Sequence, residues 1–299
     1  MTTPNPALFL NPIAGRGRAG RRLSRILELM EAMDIRPLVH QSASVGDLES
    51  RVREAVRDGA TQLIVAGGDG SIHEAVNGIM AAGGGAALGV VPVGTGNDFA
   101  KAAGIPLDWE AATTLLARRI ADGAQPRRID LGRVNQRWFA NGAGIGLDAK
   151  VTHIARSYSW PIGQLVYLAA IFHAIADGVA TPDLVIEADE LQWDGPLTLA
   201  NISNGPWIGG MFHIAPMANN EDGILELLIA APVTRRRILQ LLPKLMRGSH
   251  MEEPEIIHAS VRRVRVSAST AVPSHLDGEV QPLQTEFEIE VLPEALRLL

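Results

Sequence analysis

Five small or acidic residues, Gly67-Gly68-Asp69-Gly70-Ser71, form a stretch whose residue types suit the binding of a phosphate group. The apolar, β-branched run of residues 62–66 comes directly before them and predicts a buried strand. Glu74 follows Ser71 at the spacing of a capping box, which predicts that a helix begins at Ser71. The N-terminus of a helix that follows a strand favours the binding of an anion, and glycines let that anion approach the backbone closely.

Asp69 lies in the middle of this predicted phosphate site. A carboxylate repels a phosphate group unless a cation lies between them, and Mg²⁺ binds both carboxylate and phosphate oxygens. The stretch therefore predicts a nucleotide bound together with Mg²⁺. A tight turn in which Asp69 caps a backbone group is the alternative, and this stretch alone leaves it open.

The composition sets limits on the class of protein. The chain has 299 residues with 46% hydrophobic content, which is enough for one large domain or two ordinary ones. Its net charge of −6 argues against a general nucleic-acid-binding surface, and its lack of cysteine excludes disulfides and thiol nucleophiles. Residues 1–6 do not have the pattern of a signal peptide, so we expect a cytoplasmic protein.

One uncharged segment, residues 157–176, tests that expectation. Only its last ~15 residues have a helical pattern, whereas a membrane span needs ~20 apolar residues. We expect a buried or interface helix here. Peripheral contact with the inner face of the membrane stays open.

The first part of the chain alternates between strand and helix patterns. Such alternation predicts a parallel sheet with right-handed crossovers, on which ligands bind at the carboxyl ends of the strands. A second Gly-rich loop, residues 92–101, contains Thr95 and Asp98 and follows the fourth strand, so we expect a polyphosphate site at this edge. The predicted strands are 7–10, 36–40, 62–66 and 86–91, and the predicted helices are 22–33, 45–58 and 71–82.

A third Gly-rich turn, at residues 15–20, matches the G-x-G-x-x-G spacing of dinucleotide-binding proteins. That fingerprint expects an acidic residue about 20 positions later to hold the ribose, but residues 39–42 in that neighbourhood carry no carboxylate and the next one is Asp47. A dehydrogenase is therefore the weakest interpretation. We expect Arg16, Arg18 and Lys101 to neutralise phosphate charge instead.

From about residue 129 the pattern changes to short strands separated by turns. A helix at residues 235–246 interrupts them, and no linker rich in Pro or Ser separates the two halves. The sequence therefore predicts two domains, at residues 1–128 and 129–291. The predicted strands of the second are 129–134, 184–188, 197–202, 224–230, 261–267 and 286–291.

The combination of motifs resembles the bacterial lipid kinases of the diacylglycerol kinase catalytic-domain family, which is related to sphingosine and ceramide kinases and, distantly, to NAD kinases. The resemblance covers most of the chain and depends on the set of motifs rather than on any one. These motifs are Asn11-Pro12, Gly67–Ser71 with Glu74 and Asn77, Gly94–Ala100, Asp130, Asn204-Gly205, Gly209-Gly210, Ala215-Pro216, Asp222-Gly223 and Asp277-Gly278-Glu279.

The resemblance implies an α/β nucleotide-binding domain followed by a β-sandwich domain, with residues 292–299 returning to the first domain and the active site between the two. It implies ATP as the phosphoryl donor, Mg²⁺ as the metal ion, and the hydroxyl group of a lipid such as diacylglycerol as the acceptor. The residues expected to bind ATP are Asn11, Ser42, Gly67, Gly68, Asp69, Gly70, Ser71, Ile72, His73 and Thr95.

The resemblance also assigns the carboxylates. Asp69, Asp98 and Asp130 are expected to organise the catalytic Mg²⁺ through water, and Glu279 is preferred over Asp277 as the group that accepts the proton of the lipid hydroxyl. From the residues alone, Asp277-Gly278 predicts a hairpin turn.

A second, structural Mg²⁺ is implied in the β-rich domain. Its expected ligands are the carboxylate of Asp222 and the backbone carbonyls of Asn219 and Ile224. A turn without an ion is the alternative.

The lipid-binding surface is the part that the sequence specifies least. Apolar residues at 162–172 and 207–212 are expected either to line a groove or to belong to the core. The basic, apolar helix at 235–246 is expected either to contact anionic lipids or to be an ordinary surface helix. Two alternative functions stay open: a kinase of a soluble hydroxyl compound similar to NAD kinases, and a nucleotide-binding regulator without catalysis. The protein is also expected either as a monomer or as a homodimer.

Overall fold

The computed structural model describes residues 5–12, 14–44, 46–158 and 165–299. The chain forms two compact units. Unit 1 comprises Met1–Asp130 together with Glu294–Leu299, and unit 2 comprises Leu131–Pro293. The expected fold class, an α/β domain followed by a β-sandwich domain, is confirmed.

Unit 1 is built on a parallel sheet in the order β2-β1-β3-β4. The last residues of the chain, Arg297 and Leu298, extend the sheet by pairing in parallel with β4. The strands are β1 Ala7–Leu10, β2 Leu38–Gln41, β3 Gln62–Gly67 and β4 Ala87–Pro92, and the helices are α1 Ala14–Glu31, α2 Asp47–Arg57, α3 Asp69–Ala81, α4 Asp98–Ala102 and α5 Trp109–Ala121.

The central strands of unit 1 are covered on both faces, which explains their uninterrupted apolar sequence. Residues 63–66 of β3 and Leu8 of β1 are fully buried. Ile26 and Met30 of α1 belong to the same cluster as Leu8 and Ile64. Burial of this kind positions the carboxyl ends of the strands rigidly at one edge.

The prediction of a Gly-rich turn at residues 15–20 is wrong, because these residues lie in α1, which begins at Ala14 rather than at Arg22. Glycine costs about 1 kcal/mol relative to alanine within a helix. Here it permits a close approach, since the N–H of Gly20 donates to the carbonyl oxygen of Pro12 at 3.3 Å. A Cβ atom at Gly20 would lie 3.1 Å from that oxygen.

The capping box predicted for Ser71 and Glu74 is also wrong. Helix α3 begins two residues earlier, at Asp69, with Gly68 as its N-cap and without a side-chain cap. The Glu74 carboxylate instead accepts the backbone N–H groups of Gly46, Leu48 and Glu49 at 3.1, 3.1 and 3.3 Å. It thus caps α2, whose own N-cap, Gly46, has no side chain to do so.

We expect Glu74→Ala to lower the free energy of unfolding by about 2 kcal/mol, the upper range for loss of a helix cap, because three N–H groups of α2 lose one acceptor. Urea unfolding measures the change. Glu54→Ala is the matched control, because Glu54 is an exposed glutamate within α2. Equal losses in the two variants would contradict the capping role.

Unit 2 is a sandwich of two sheets around one core. One sheet has the order β12-β11-β10-β7-β14-β15; the other contains β9-β8-β13-β16, with β5 against β16 and β6 against β5. Ile186, Val266, Ile202, Leu227 and Phe139 fill the space between them. The strands are β5 Arg127–Val134, β6 Arg137–Phe139, β7 Gly142–Gly146, β8 Asp183–Ala188, β9 Leu191–Pro196, β10 Leu199–Ser203, β11 Leu225–Ala230, β12 Ile256–Val261, β13 Arg263–Val272, β14 Ser274–Leu276, β15 Glu279–Val280 and β16 Gln284–Leu298.

Three helices pack together in unit 2: α6 Leu147–Ser157, α7 Leu165–Asp177 and α8 Arg235–Arg247. Val166 and Phe212, which the sequence offered as groove residues, are buried in this cluster, so the core alternative is correct for them. Leu168, Met211 and Tyr167 pack against it. Ile162 lies outside the described residues.

Within the described ranges, none of the helices has both the length and the apolar character that a membrane crossing requires. The basic start of α8 is partly neutralised within unit 2, because Arg237 forms ion pairs with Glu253 and Glu255. The hydrogen bonds that the Arg237 guanidinium donates to Glu255 and, less strongly, to Glu253 raise the pKa of Arg237 far above its usual range. The local pairing favours the interpretation of α8 as a surface helix.

Candidate active site

The residues predicted to bind ATP meet at the carboxyl edge of the unit 1 sheet. Asn11 follows β1, and Ser42, which follows β2, donates its N–H to the carbonyl oxygen of Leu10 at 3.0 Å. The N–H of Val93, after β4, donates to the carbonyl oxygen of Gly67 at 3.0 Å. Four strand ends are therefore held side by side, as ligand sites on parallel sheets require.

Two of the loops at this edge approach so closely that only glycine fits. A Cβ atom at Gly94 would lie 2.4 Å from the Cα atom of Gly68, and one at Gly67 would lie 2.3 Å from the Cβ atom of Ser71. Because the N-cap residue of α3 has no side chain, an anion can take the place that a capping side chain has in other helices. The edge therefore suits a phosphate group.

Asp69 and Asp98 are the first residues of the neighbouring helices α3 and α4. The Oδ1 atom of Asp69 accepts the N–H of Phe99 at 3.1 Å, which fixes the start of α4 against α3. The carboxylate of Asp98 is mostly buried and forms an ion pair with Lys101 at 2.8 Å. Two carboxylates are thus anchored beside the glycine-rich turn at residues 67–71, and this oxygen donor set suits Mg²⁺.

Arg18 reaches this edge from α1. Its guanidinium donates to the carbonyl oxygen of Gly94 at 3.1 Å and to the hydroxyl oxygen of Thr95 at 2.9 Å. A cation therefore lies on the loop that follows β4, where it can contact phosphate oxygens. The side chain of Arg16 lies outside the described residues.

Ile72 and His73 are buried within α3. The N–H of Ile72 donates to the carbonyl oxygen of Gly68 at 3.1 Å, and the amide of Asn77 donates to the carbonyl oxygen of His73 at 2.9 Å. Their contacts are those of a helix interior. Their contribution to nucleotide binding stays a prediction.

Asp130 is 1% exposed, and its Oδ1 atom accepts the N–H of Glu294 at 2.8 Å. Glu294 has a φ of 52°, in the left-handed region that few side chains adopt. The carboxylate of Asp130 therefore fixes the backbone where the chain returns to unit 1. Its predicted part in organising Mg²⁺ remains untested.

In unit 2, Asp277 and Gly278 form the turn between β14 and β15. Both have a positive φ, 51° and 80°, as a type I′ turn requires. The carboxylate of Asp277 accepts three backbone N–H groups, from Ala140 at 3.0 Å, Asn141 at 2.8 Å and Gly142 at 3.0 Å. Asp277 therefore shapes the loop between β6 and β7, and the preference for Glu279 as the proton acceptor stays a prediction.

Glu279 is the first residue of β15, and its carboxylate forms an ion pair with Arg156 of α6. Arg156 also donates to the carbonyl oxygen of Gly278 at 3.2 Å. The arginine thereby holds both the carboxylate and the turn before it. Neither Arg156 nor α6 was expected from the motifs, although Val151, Ile154 and Ala155 carry a helical period that predicts this helix.

His275 and Asp148 form a buried contact beside this turn. Nε2 of His275 lies 3.1 Å from Oδ2 of Asp148, and Nδ1 lies 3.3 Å from the backbone nitrogen of Gly278. Gly144 makes room for the pair, since a Cβ atom there would lie 2.2 Å from Oδ2 of Asp148. Burial lowers the pKa of His275, but the carboxylates of Asp148, Asp277 and Glu279 outweigh it, so the pKa is raised.

This pair predicts a pH-dependent stability. Because the pKa of His275 is raised above its unfolded value of 6.5, its stabilising effect is complete below that pH and is lost as the pH rises through the folded pKa. We expect the difference in melting temperature between the native protein and Asp148→Asn to shrink as the pH rises above 6.5. A difference independent of pH would contradict the assignment.

The predicted structural Mg²⁺ site lies in the turn before β11. Oδ1 of Asp222 accepts the N–H of Ile224 at 3.0 Å, and Oδ1 of Asn219 accepts the N–H of Glu221 at 3.2 Å. Asp222 is exposed, and one carboxylate with backbone carbonyls suits an ion that keeps most of its waters. In the part of the chain that the structure describes, no three acidic or histidine side chains cluster as a metal site, so this ion stays a prediction.

Two protein-family models match the chain, one for each unit. A model of the diacylglycerol kinase catalytic domain matches residues 5–134, and a model described as the YegS C-terminal NAD kinase beta sandwich-like domain matches residues 142–299. The chain belongs to the diacylglycerol kinase catalytic-domain family. The resemblance drawn from the motifs is therefore confirmed, and a kinase is the class of enzyme that the family supports.

Relatives of this diacylglycerol kinase family member span nearly its full length. It is 30% identical over 275 residues to the diacylglycerol kinase of Bacillus subtilis. This alignment covers 91% of this chain and 88% of the relative. It is 33% identical over 255 residues to a probable lipid kinase YegS-like of Pseudomonas aeruginosa, covering 85% and 81%.

Solved structures confirm the fold of the family member. A putative diacylglycerol kinase from Bacillus anthracis superposes with a TM-score of 0.81 at 22% identity, covering 100% of this chain and 97% of that one. A second structure described in the same words has a TM-score of 0.80 at 21% identity.

Proposed function

We propose that this protein is an ATP-dependent lipid kinase that transfers the γ-phosphoryl group of ATP to a hydroxyl group of a lipid such as diacylglycerol. The observation that carries the proposal is the carboxyl edge of the unit 1 sheet, where an uncapped helix start adjoins Asp69 and Asp98. The names of the relatives, a diacylglycerol kinase and a probable lipid kinase, support the choice of a lipid as acceptor.

Unit 1 would bind the nucleotide. The turn from Gly67 to Ser71 would hold the phosphate groups through backbone N–H groups, and Arg18 and Thr95 would contact them from the loop after β4. Asp69 and Asp98 would hold Mg²⁺, whose chemical contribution is to neutralise charge on the phosphate oxygens. Phosphoryl transfer depends mainly on such positioning and charge neutralisation.

Unit 2 is assigned the acceptor. The carboxylate of Glu279 would accept the proton of the lipid hydroxyl as that oxygen attacks the γ-phosphorus atom and ADP leaves. Arg156 would orient the carboxylate through their ion pair, and Asp277 would shape the preceding turn through its three N–H contacts. A lipid acceptor would bring the protein to the inner face of the membrane, and a second Mg²⁺ at Asp222 would be structural.

Transfer of label from γ-labelled ATP, with Mg²⁺ present, tests the proposal. The acceptors are detergent-dispersed diacylglycerol, other lipid alcohols and NAD. We expect label in a lipid and a loss of labelling in Asp69→Asn. Label in NAD would favour a kinase of a soluble compound, and ATP binding without any labelled acceptor would favour a regulatory protein.

A further inference from the structure

Unit 2 contains an apolar cavity of about 690 Å³ that the assigned site does not use. The volume is within the usual range for small-molecule sites. Its wall has no acidic side chain and is formed by α6, the end of β13 and the segment after β15. The residues that matter here are Leu147, Lys150 and His153 of α6, Ala271 of β13, and Val280 and Leu283.

The charge of Lys150, one of the two ionisable side chains in the wall, is directed away from an apolar ligand. Its ammonium group donates to the carbonyl oxygens of Gly178 at 3.1 Å and Ala174 at 3.4 Å. It also lies 3.6 Å from the carboxylate of Asp177. Because these groups already accept the hydrogen bonds of Lys150, an alkyl chain can enter the cavity without breaking them. Such a ligand meets mainly carbon atoms.

The rim of the cavity exposes large apolar side chains to solvent. Leu283 is 65% exposed and Val280 is 39% exposed, and Pro282 lies between them in the sequence. Burying side chains of this size in a complex is more favourable than leaving them in water. A ligand that covers this rim therefore gains affinity.

Two elements of the cavity wall, β15 and α6, also carry the residues of the proposed acceptor site. Val280 directly follows Glu279 in β15. On the other wall, Arg156, which pairs with Glu279, lies three residues after His153 in α6, a rise of about 4.5 Å along the helix. In a lipid alcohol the hydroxyl group is likewise separated from its chain by only a few atoms.

We propose that this cavity binds one acyl chain of the lipid whose hydroxyl group is presented to Glu279. The inference rests on the proposed function, because it identifies the tail site of the same acceptor. Among the described residues, the cavity wall includes none of those at 165–172 and 207–212, for which the sequence left a groove and a core position open.

Binding of the fluorescent polyene fatty acid cis-parinaric acid to the full chain tests the cavity without any catalysis. Ala271→Trp places a large ring at the cavity, and Val280→Asn makes the rim polar. We expect each to weaken binding of the probe about tenfold or more. Val185→Asn is the matched control, because Val185 is 38% exposed on β8, outside the cavity, against 39% for Val280. Circular dichroism verifies that the variants fold.

A kinetic experiment separates the two proposals. With diacylglycerols from dioctanoyl to dipalmitoyl, the native KM should fall as the chain lengthens, and Ala271→Trp should flatten that dependence while keeping kcat on the short substrate. Probe binding that depends on the cavity, without lipid phosphorylation, overturns the proposed function but supports the cavity. Lipid phosphorylation with probe affinity and chain-length dependence unchanged by Ala271→Trp overturns the cavity. A native dimer that Val280→Asn dissociates, without weaker probe binding, also overturns it and assigns the rim to a second copy.

Discussion

Glu279→Gln should lower kcat by about 10²–10⁴-fold, the usual contribution of a general base, while the KM for ATP changes little. Glutamine keeps the size of the side chain but cannot accept the proton of the acceptor hydroxyl. It also loses the charge that pairs with Arg156. Steady-state kinetics with labelled ATP and a fixed lipid measures the effect.

Glu288→Gln is the matched control for that variant. Glu288 is a glutamate of the same unit that pairs with Arg265 at 3.2 Å, but its side chain is 73% exposed. Loss of such a surface pair costs at most about 1 kcal/mol, and we expect no change in kcat. If both variants kept native kcat, Glu279 would not be the proton acceptor.

Asp277→Gly should lower the free energy of unfolding by about 3 kcal/mol, because three backbone N–H groups lose one charged acceptor. Glycine tolerates the positive φ at this position, so the loss reports mainly on the carboxylate. Catalysis should fall as well, since the turn before Glu279 loosens. Chemical denaturation and kinetics measure the two effects.

Asp189→Gly is the comparison for this second variant. Asp189 also has a positive φ, 33°, but its carboxylate accepts a single N–H, that of Arg262 at 2.7 Å. We expect a cost of about 1 kcal/mol, as for one hydrogen bond. An equal cost at both positions would show that the three contacts of Asp277 do not act together.

The sequence predicts the strands of unit 1 well because burial on both faces demands continuous apolar runs such as residues 62–66. It does not predict β7, because Gly142, Gly144 and Gly146 have no side chains and therefore no hydrophobic period. Those glycines exist partly for a tertiary reason, since Gly144 makes room for Asp148 and His275. A contact between distant residues leaves no local pattern.

The same limit applies to the candidate site. The composition of residues 67–71 is enough to predict a turn between a strand and a helix, because the signals are local, and phosphate binding at that turn stays a prediction. The function of Glu74 is not local: the N–H groups that it accepts lie 25 to 28 residues away, so a capping box within α3 was the natural but wrong interpretation. Likewise, Asp277 and Glu279 are both carboxylates in the sequence, and only the structure shows that Asp277 accepts three backbone N–H groups whereas Glu279 pairs with Arg156.

The return of Glu294–Leu299 to unit 1 has a consequence for biosynthesis. Residues 131–293 leave the ribosome before the segment that pairs with β4 does, at about 5–20 residues per second. For several seconds the nascent unit 1 therefore has an unpaired β4 edge. During this time the hydrogen bond from the N–H of Glu294 to Asp130 cannot form. Because β16 runs without a break from residue 284 into this segment, the last strand of unit 2 is made at the same stage, and unit 1 becomes fully folded only after the whole of unit 2 has been synthesised.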